Sequence, residues 1–132
     1  MNRLEKTTAV IKNLKKGHFI LIEGVPCRVE SVTSSKSGKH GASKTRVEAI
    51  GLFDGRRRSI VKPSDDTVDV PIILKKRAQV LALLADRVQL MDLSDYSMFE
   101  LEIPEELKGK LNPGDEVPYF EVAGIRTLKP LK

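Results

Sequence analysis

Residues 19–61, FILIEGVPCRVESVTSSKSGKHGASKTRVEAIGLFDGRRRSIV, decide the fold class. Phe19–Ile22 is an apolar run of strand length, closed by a turn at Glu23-Gly24. In Cys27–Val32 the alternation places Cys27, Val29 and Ser31 on one face and Arg28, Glu30 and Val32 on the other. Thr45–Phe53 carries Val47, Ala49 and Gly51 in phase. Asp54-Gly55 then predicts a two-residue type I′ hairpin, because both central positions need positive φ, and Arg57–Val61 returns. Short period-two segments separated by turn residues predict strands, and closing such strands into a small barrel removes exposed edges.

Outward from this stretch, Thr67–Val70 adds one more short strand. Pro71 cannot donate a ladder hydrogen bond, so pairing is expected to break there. This divides the chain into domains 1–70 and 71–132. The second half repeats the β pattern: Gln79–Leu84 and Arg87–Met91 flank an Ala85-Asp86 turn, and Tyr96–Ile103 alternates. From Pro104 to Lys108 a short helix is expected. Pro suits the first helical position, glutamates fill the first turn and Gly109 stops it. Glu116–Val122 and Arg126–Leu131 complete five strands with a helix between the third and fourth. That is the layout of an OB-fold, although other five-stranded barrels fit it as well. The expected fold class is all-β.

The 132 residues are 40% hydrophobic and 31% charged, enough to build a core and stay in solution. Aromatics are only 5% and Trp is absent, so the core must come mainly from Val, Ile and Leu. No stretch approaches the roughly 18 apolar residues of a membrane-spanning helix. The opening MNRLEKTTAV has neither the apolar run nor the cleavage site of a secretory signal. A single cysteine, Cys27, excludes an internal disulfide framework and a multi-Cys zinc site, and fits a reducing, cytoplasmic setting.

The net charge of +5 is unevenly spread. Residues 1–70 hold 14 Lys/Arg and 8 Asp/Glu, whereas residues 71–132 hold 9 and 10. The positive charge concentrates in Ser31–Arg46, which has Lys36, Lys39, Lys44 and Arg46 and no acid, with a second cluster at Arg56–Arg58. Such asymmetry points one end of the molecule at phosphates. A solvated basic face with no ligand has the same signature.

Within this region, Ser34–Lys44 joins two strands through a polar tip in which Gly38 and Gly41 flank Lys39-His40. The glycines allow a tight tip that pushes one lysine outward. A P-loop is excluded: Thr33 stands where its first glycine belongs, and His40 where its Ser or Thr belongs. His18, His40 and Cys27 are too few and wrongly spaced for a metal site. Cys27 lies in an alternating strand and reads as a small buried hydrophobe, with a Cys–His catalytic pair as the alternative. No carboxylate pair offers acid–base chemistry.

The loop motif Lys36-Ser37-Gly38-Lys39-His40-Gly41 resembles the initiation factor 5A family of translation factors, in its archaeal form. Gly17-His18-Phe19, Gly24–Val29, Arg57–Pro63 and Asp69–Ile73 also resemble that family, so the similarity covers essentially the whole chain. The resemblance implies an N-terminal SH3-like barrel followed by a C-terminal OB-fold barrel with a short helix. It implies no catalytic residue, no metal and no cofactor. Instead, Lys39 would receive the aminobutyl group of spermidine from deoxyhypusine synthase, giving deoxyhypusine or hypusine.

The implied partners are the ribosome near its E site, peptidyl-tRNA and ribosomal RNA. The implied role is relief of stalled peptide-bond formation, notably at consecutive prolines. No membrane is involved, and the free factor would be a monomer. Lys36, Gly38, Lys39, His40, Gly41, Lys44 and Arg46 are the expected RNA-binding residues. The family's loop commonly reads His-Gly-His-Ala-Lys or His-Gly-Ser-Ala-Lys; here it reads His40-Gly41-Ala42-Ser43-Lys44, and Lys44 keeps the basic position.

Two other readings are open to the residues alone. One is a generic RNA-binding protein with unmodified Lys39, in which Lys39→Arg retains function. The other is an enzyme, for which no constellation is present.

Overall fold

The computed structural model describes residues 6–36 and 43–131. Among them there is no α-helix, and antiparallel strands dominate. The chain divides into two compact units, Met1–Ile72 and Ile73–Lys132.

The first unit contains β1 (Lys6–Val10), β2 (Phe19–Ile22), β3 (Val25–Lys36), β4 (Ser43–Gly51), β5 (Arg57–Pro63) and β6 (Thr67–Pro71). Strands β2-β3-β4-β5 form one antiparallel sheet, and β1 pairs with β6 in a separate ribbon. The sheet curls into a half-barrel, and β6 packs beside β2. Ile11, Ile20, Ile22, Cys27, Val29, Val47, Ala49 and Val68 meet in its core, as period-two burial requires.

Three features of this unit depart from the sequence expectations. The Cys27–Val32 alternation breaks at a bulge between Val29 and Ser31, where the pairing register shifts. One extra residue moves the following side chains to the other face, so Val32 packs on the core in place of Ser31. The Asp54-Gly55 turn is not type I′: Gly55 has φ 67° but Asp54 stays out of the left-handed region. The connection from Gly51 to Arg57 is longer, because the Asp54 carboxylate accepts the Arg56 amide at 3.0 Å and forms its own local turn. Paired positive φ occurs instead at Glu23-Gly24 (53° and 78°), which joins the pair Ile22–Val25. Strand β1 is an addition. Its polar sequence carries little alternation, and pairing with Thr67–Pro71 makes it a strand. Pro71, the expected breakpoint, is the last residue of β6.

The second unit contains β7 (Leu74–Leu84), β8 (Arg87–Asp92), β9 (Met98–Glu102), β10 (Glu116–Val122) and β11 (Ile125–Thr127). The strand order β11-β10-β7-β8-β9 places the fourth strand beside the first, the Greek-key order of an OB-fold. The edges β9 and β11 approach each other and nearly close the barrel. The Arg126 guanidinium on β11 lies 4.4 Å from the centre of the Phe99 ring on β9, and Phe99 in turn packs 5.0 Å from Tyr119.

The expected helix is a single 3-10 turn, Glu105–Leu107, preceded by an extended Pro104. Gly109, at φ 77°, ends it before an α-turn forms. Strand β9 starts at Met98 rather than Tyr96, because Tyr96 sits at φ 62° in a loop organised by Asp92. That carboxylate is buried and accepts the Ser94 amide, the Ser94 hydroxyl, the Asp95 amide and the Tyr119 hydroxyl. These donors hold Asp92 far below the usual carboxylate range, Ser94 and Tyr119 contributing most.

Candidate nucleic-acid interface on the β3–β4 hairpin

β3 and β4 pair from Cys27–Gly51 out to Lys36–Ser43, the last described pair. The expected tip residues Gly38, Lys39, His40 and Gly41 lie outside the described residues. Lys36, Lys44 and Arg46 lie within them, all exposed. Register sorts these cations onto two faces of the ribbon. Lys36 stands opposite Ser43, on the face of Thr45 and Val47, whereas Lys44 and Arg46 stand opposite Ser35 and Thr33 on the other face. The hairpin is therefore basic on both sides, a shape suited to insertion among phosphates rather than to lying flat on one strand.

The three cations differ in how firmly they are held. Among the described residues, neither Lys36 nor Lys44 has an acidic partner. Arg46 Nε lies 3.8 Å from Glu48 Oε2, and its Nη2 donates to Ser59 Oγ at 3.4 Å. Both Arg46 and Glu48 are about half exposed, so this pair restrains the guanidinium weakly.

Where the hairpin leaves the sheet, its inward face carries hydroxyls. Ser34 Oγ lies 2.9 Å from Thr45 Oγ1, Thr45 Oγ1 lies 2.7 Å from Ser64 Oγ, and Ser64 Oγ lies 2.7 Å from Ser43 Oγ. Thr45 is completely buried and Ser64 nearly so. This chain has no signature in the sequence, because Ser64 comes from the β5–β6 connection, far along the sequence from the loop.

The second basic cluster is divided. Arg57 and Arg58 alternate across β5. Arg57 is exposed, as is Arg56, while Arg58 turns back to grip Asp54 with two hydrogen bonds of 2.9 and 3.2 Å. That grip pulls the Asp54 carboxyl down to about 2. It also explains Gly51: a Cβ there would lie 2.1 Å from Asp54 Oδ1 and 2.8 Å from Arg58 Nη1. Arg58 is thus a structural residue, and Arg56 and Arg57 are the cations this cluster presents.

Cys27 is fully buried, and its Sγ donates to the Val25 carbonyl at 3.3 Å. Burial pushes the thiol up, against a smaller opposing influence from Arg58, so it carries no thiolate reactivity. His18 Nδ1 accepts the Lys15 amide at 3.2 Å in the turn before β2. Among the described residues, no group of three His, Cys, Asp or Glu side chains is placed to hold a metal. In the second unit, Lys76 pairs with Glu121 at 3.1 Å and Arg77 approaches Glu116 at 3.8 Å. Two of the three cations at Lys75–Arg77 therefore face internal acids.

Comparison with known proteins gives consistent matches. A family model described as Translation initiation factor 5A-like, N-terminal, matches residues 6–66. Translation initiation factor 5A of Methanocella arvoryzae is 54% identical over 119 residues, spanning 90% of this chain and 93% of that protein. The Thermococcus onnurineus protein of the same name is 47% identical, spanning 95% and 96%. A solved structure of eukaryotic translation initiation factor 5A from Methanococcus jannaschii superposes with a TM-score of 0.80 at 43% identity, covering 92% of this chain and 90% of that one.

Proposed function

The chain belongs to the translation initiation factor 5A family, a family of translation factors and not of enzymes, and from that premise we propose how it acts. Lys39 carries a spermidine-derived aminobutyl arm. The factor binds the ribosome near the E site, and the arm reaches the acceptor end of peptidyl-tRNA. There it promotes peptide-bond formation at stalled sequences such as consecutive prolines. It works in the cytoplasm as a monomer when free.

One observation carries this reading. β5 ends at Pro63, opposite Lys44, and beyond that pair the last described step of the β3–β4 hairpin is Lys36–Ser43. At this end the hairpin has cations on both faces, Lys36 on one and Lys44 and Arg46 on the other. Lys36, Lys44 and Arg46 supply phosphate contacts that position the factor without reading sequence, and Arg56 and Arg57, at the opposite end of β4, add to them. Gly38, Lys39, His40 and Gly41 complete the RNA-binding set.

The chemistry follows from what a stalled centre lacks. Proline restricts both the incoming amine and the nascent chain. Holding the acceptor end in a reactive geometry is a large lever on rate. Plain lysine is a compact cation on a short stem. Transfer of an aminobutyl group from spermidine forms one C–N bond at Lys39 Nζ and breaks one in spermidine, releasing the diaminopropane remainder. The product is longer and has two amines for phosphates and sugar hydroxyls. Deoxyhypusine synthase performs this transfer, and the factor itself holds no catalytic residue, metal or cofactor.

The test is Lys39→Arg in a purified translation system reading a message with consecutive prolines. Arginine keeps the charge but cannot accept the aminobutyl group. Loss of stall relief is the expected result, and full activity would leave only generic RNA binding.

A further inference from the structure

We propose that the hydroxyl chain Ser34–Thr45–Ser64–Ser43, buried at Thr45 and Ser64, is a positioning device: it fixes the direction in which the hairpin leaves the sheet, and so presents Lys39 for modification. The presentation of Lys39 rests on the function proposed above, whereas the anchoring itself does not.

The chain sits where the sheet loses a strand. Up to Pro63–Lys44 the hairpin is flanked by β5, and the last described pair beyond it, Lys36–Ser43, has no β5 residue beside it. A two-stranded ribbon by itself is marginally stable in water. Pro63 has no N–H to extend the ladder. Ser64 takes over at that point: its amide donates to the Ser43 carbonyl at 3.0 Å, and its hydroxyl reaches both Ser43 and Thr45. The Ser64 carbonyl in turn accepts the Lys12 amide at 3.4 Å, which ties the junction to the 3-10 turn Ile11–Asn13.

The residue types are informative. Thr45 lies on the inward face in phase with Val47 and Ala49 and is fully buried. An apolar side chain would fill that position without the cost of burying a hydroxyl. Apolar contact is non-directional, whereas hydrogen bonds fix angles as well as distances. Each hydroxyl has one proton to donate, so Thr45 and Ser64, which take part in two bonds each, must accept in at least one, and each bond polarises the next. One face of the hairpin is thereby pinned through three separate segments: β3, β4 and the β5–β6 connection.

The test compares Thr45→Val, which keeps the shape and removes the hydroxyl, with Thr45→Ser, which keeps the hydroxyl. Ser64→Ala serves as a second lesion should Thr45→Val fold poorly. Two readouts are taken on the full chain: amide hydrogen exchange, and steady-state aminobutyl transfer from spermidine by purified deoxyhypusine synthase. In Thr45→Val the amides of residues 33–36 and 43–46 should exchange about tenfold faster, while those of Val29 and Ala49 keep their rates. A hairpin that samples the competent direction less often lowers apparent affinity by that fraction. KM for the factor should therefore rise by about tenfold with kcat unchanged. Thr45→Ser should restore both.

Unaltered exchange in both lesions would overturn the proposal, as would faster exchange with an unaltered KM. If even the parent chain accepts no aminobutyl group, the functional reading falls, and the exchange comparison decides the anchoring alone.

Discussion

The two units hold buried polar groups of opposite character. The first unit buries two neutral hydroxyls, Thr45 and Ser64, at the base of its hairpin, and the second buries an ionised carboxylate, Asp92, at the end of β8. The same contrast runs through their surfaces. In the second unit Lys76, Arg77, Arg87, Lys108 and Arg126 all face acidic partners. In the first, Lys36, Lys44, Arg56 and Arg57 face none among the described residues. Both units pair charges internally, and the first in addition leaves these four cations available to an external polyanion. Net charge alone conceals this, because it does not record which cations are already paired.

The sharpest way to break the contrast is at the tip. Lys39→Arg should abolish stall relief on consecutive prolines, whereas Lys76→Arg should leave it intact. Activity surviving in the first variant would remove the distinction between the units.

Next in size is the carboxylate centre. Asp92→Ala strands the Tyr119 hydroxyl and two loop amides, and should destabilise the second unit by about 3 kcal/mol in denaturant melts. The pH dependence has a definite sign. Asp92 has a folded pKa below its unfolded value, so its stabilisation is complete above the ordinary carboxylate range and fades as pH falls below about 4. Tyr119 is shifted upward, chiefly by burial and then by its bond to Asp92. Its contribution is therefore complete below its ordinary value of 10.0 and fades as pH rises beyond it. Asp92→Asn should flatten the acid limb of a stability–pH curve, and Tyr119→Phe the alkaline limb.

Smaller again is Gly51→Ala. Its methyl would collide with the Asp54–Arg58 pair, and a loss of about 1–2 kcal/mol is expected, read as a lowered thermal midpoint. The smallest effect sharpens the surface comparison. Lys44→Ala should reduce the salt slope of binding to a structured RNA by about 1, and Lys76→Ala should leave that slope unchanged.

Much of the fold was legible in the sequence for physical reasons. Strands β2 and β10 match their expected bounds, since Phe19–Ile22 is a continuous apolar run and Glu116–Val122 is bounded by turn residues on both sides. Strand count and the position of the Pro104 turn fitted the OB-fold order without separating it from other five-stranded barrels. What could not be read depends on partners distant in sequence. Strand β1 exists through β6, and the bulge at Glu30 shows only as a change of phase once β3 is paired. The Asp54-Gly55 turn was misread because Arg58 and the Arg56 amide capture Asp54.

The site divides along the same line. Residue types and the glycine-flanked tip marked the hairpin as the candidate functional element. The hydroxyl chain beneath it stayed hidden, because Ser64 reads in sequence as ordinary turn punctuation. The split of Lys36 from Lys44 onto opposite faces likewise required the register.

The central claim is a covalent one, and mass spectrometry of the protein from its own host tests it most directly. The intact mass and the peptide covering Ser34–Lys44 should show an added aminobutyl group on Lys39, with or without a hydroxyl. A wholly unmodified Lys39 would contradict the account and leave a basic hairpin that binds RNA by charge alone.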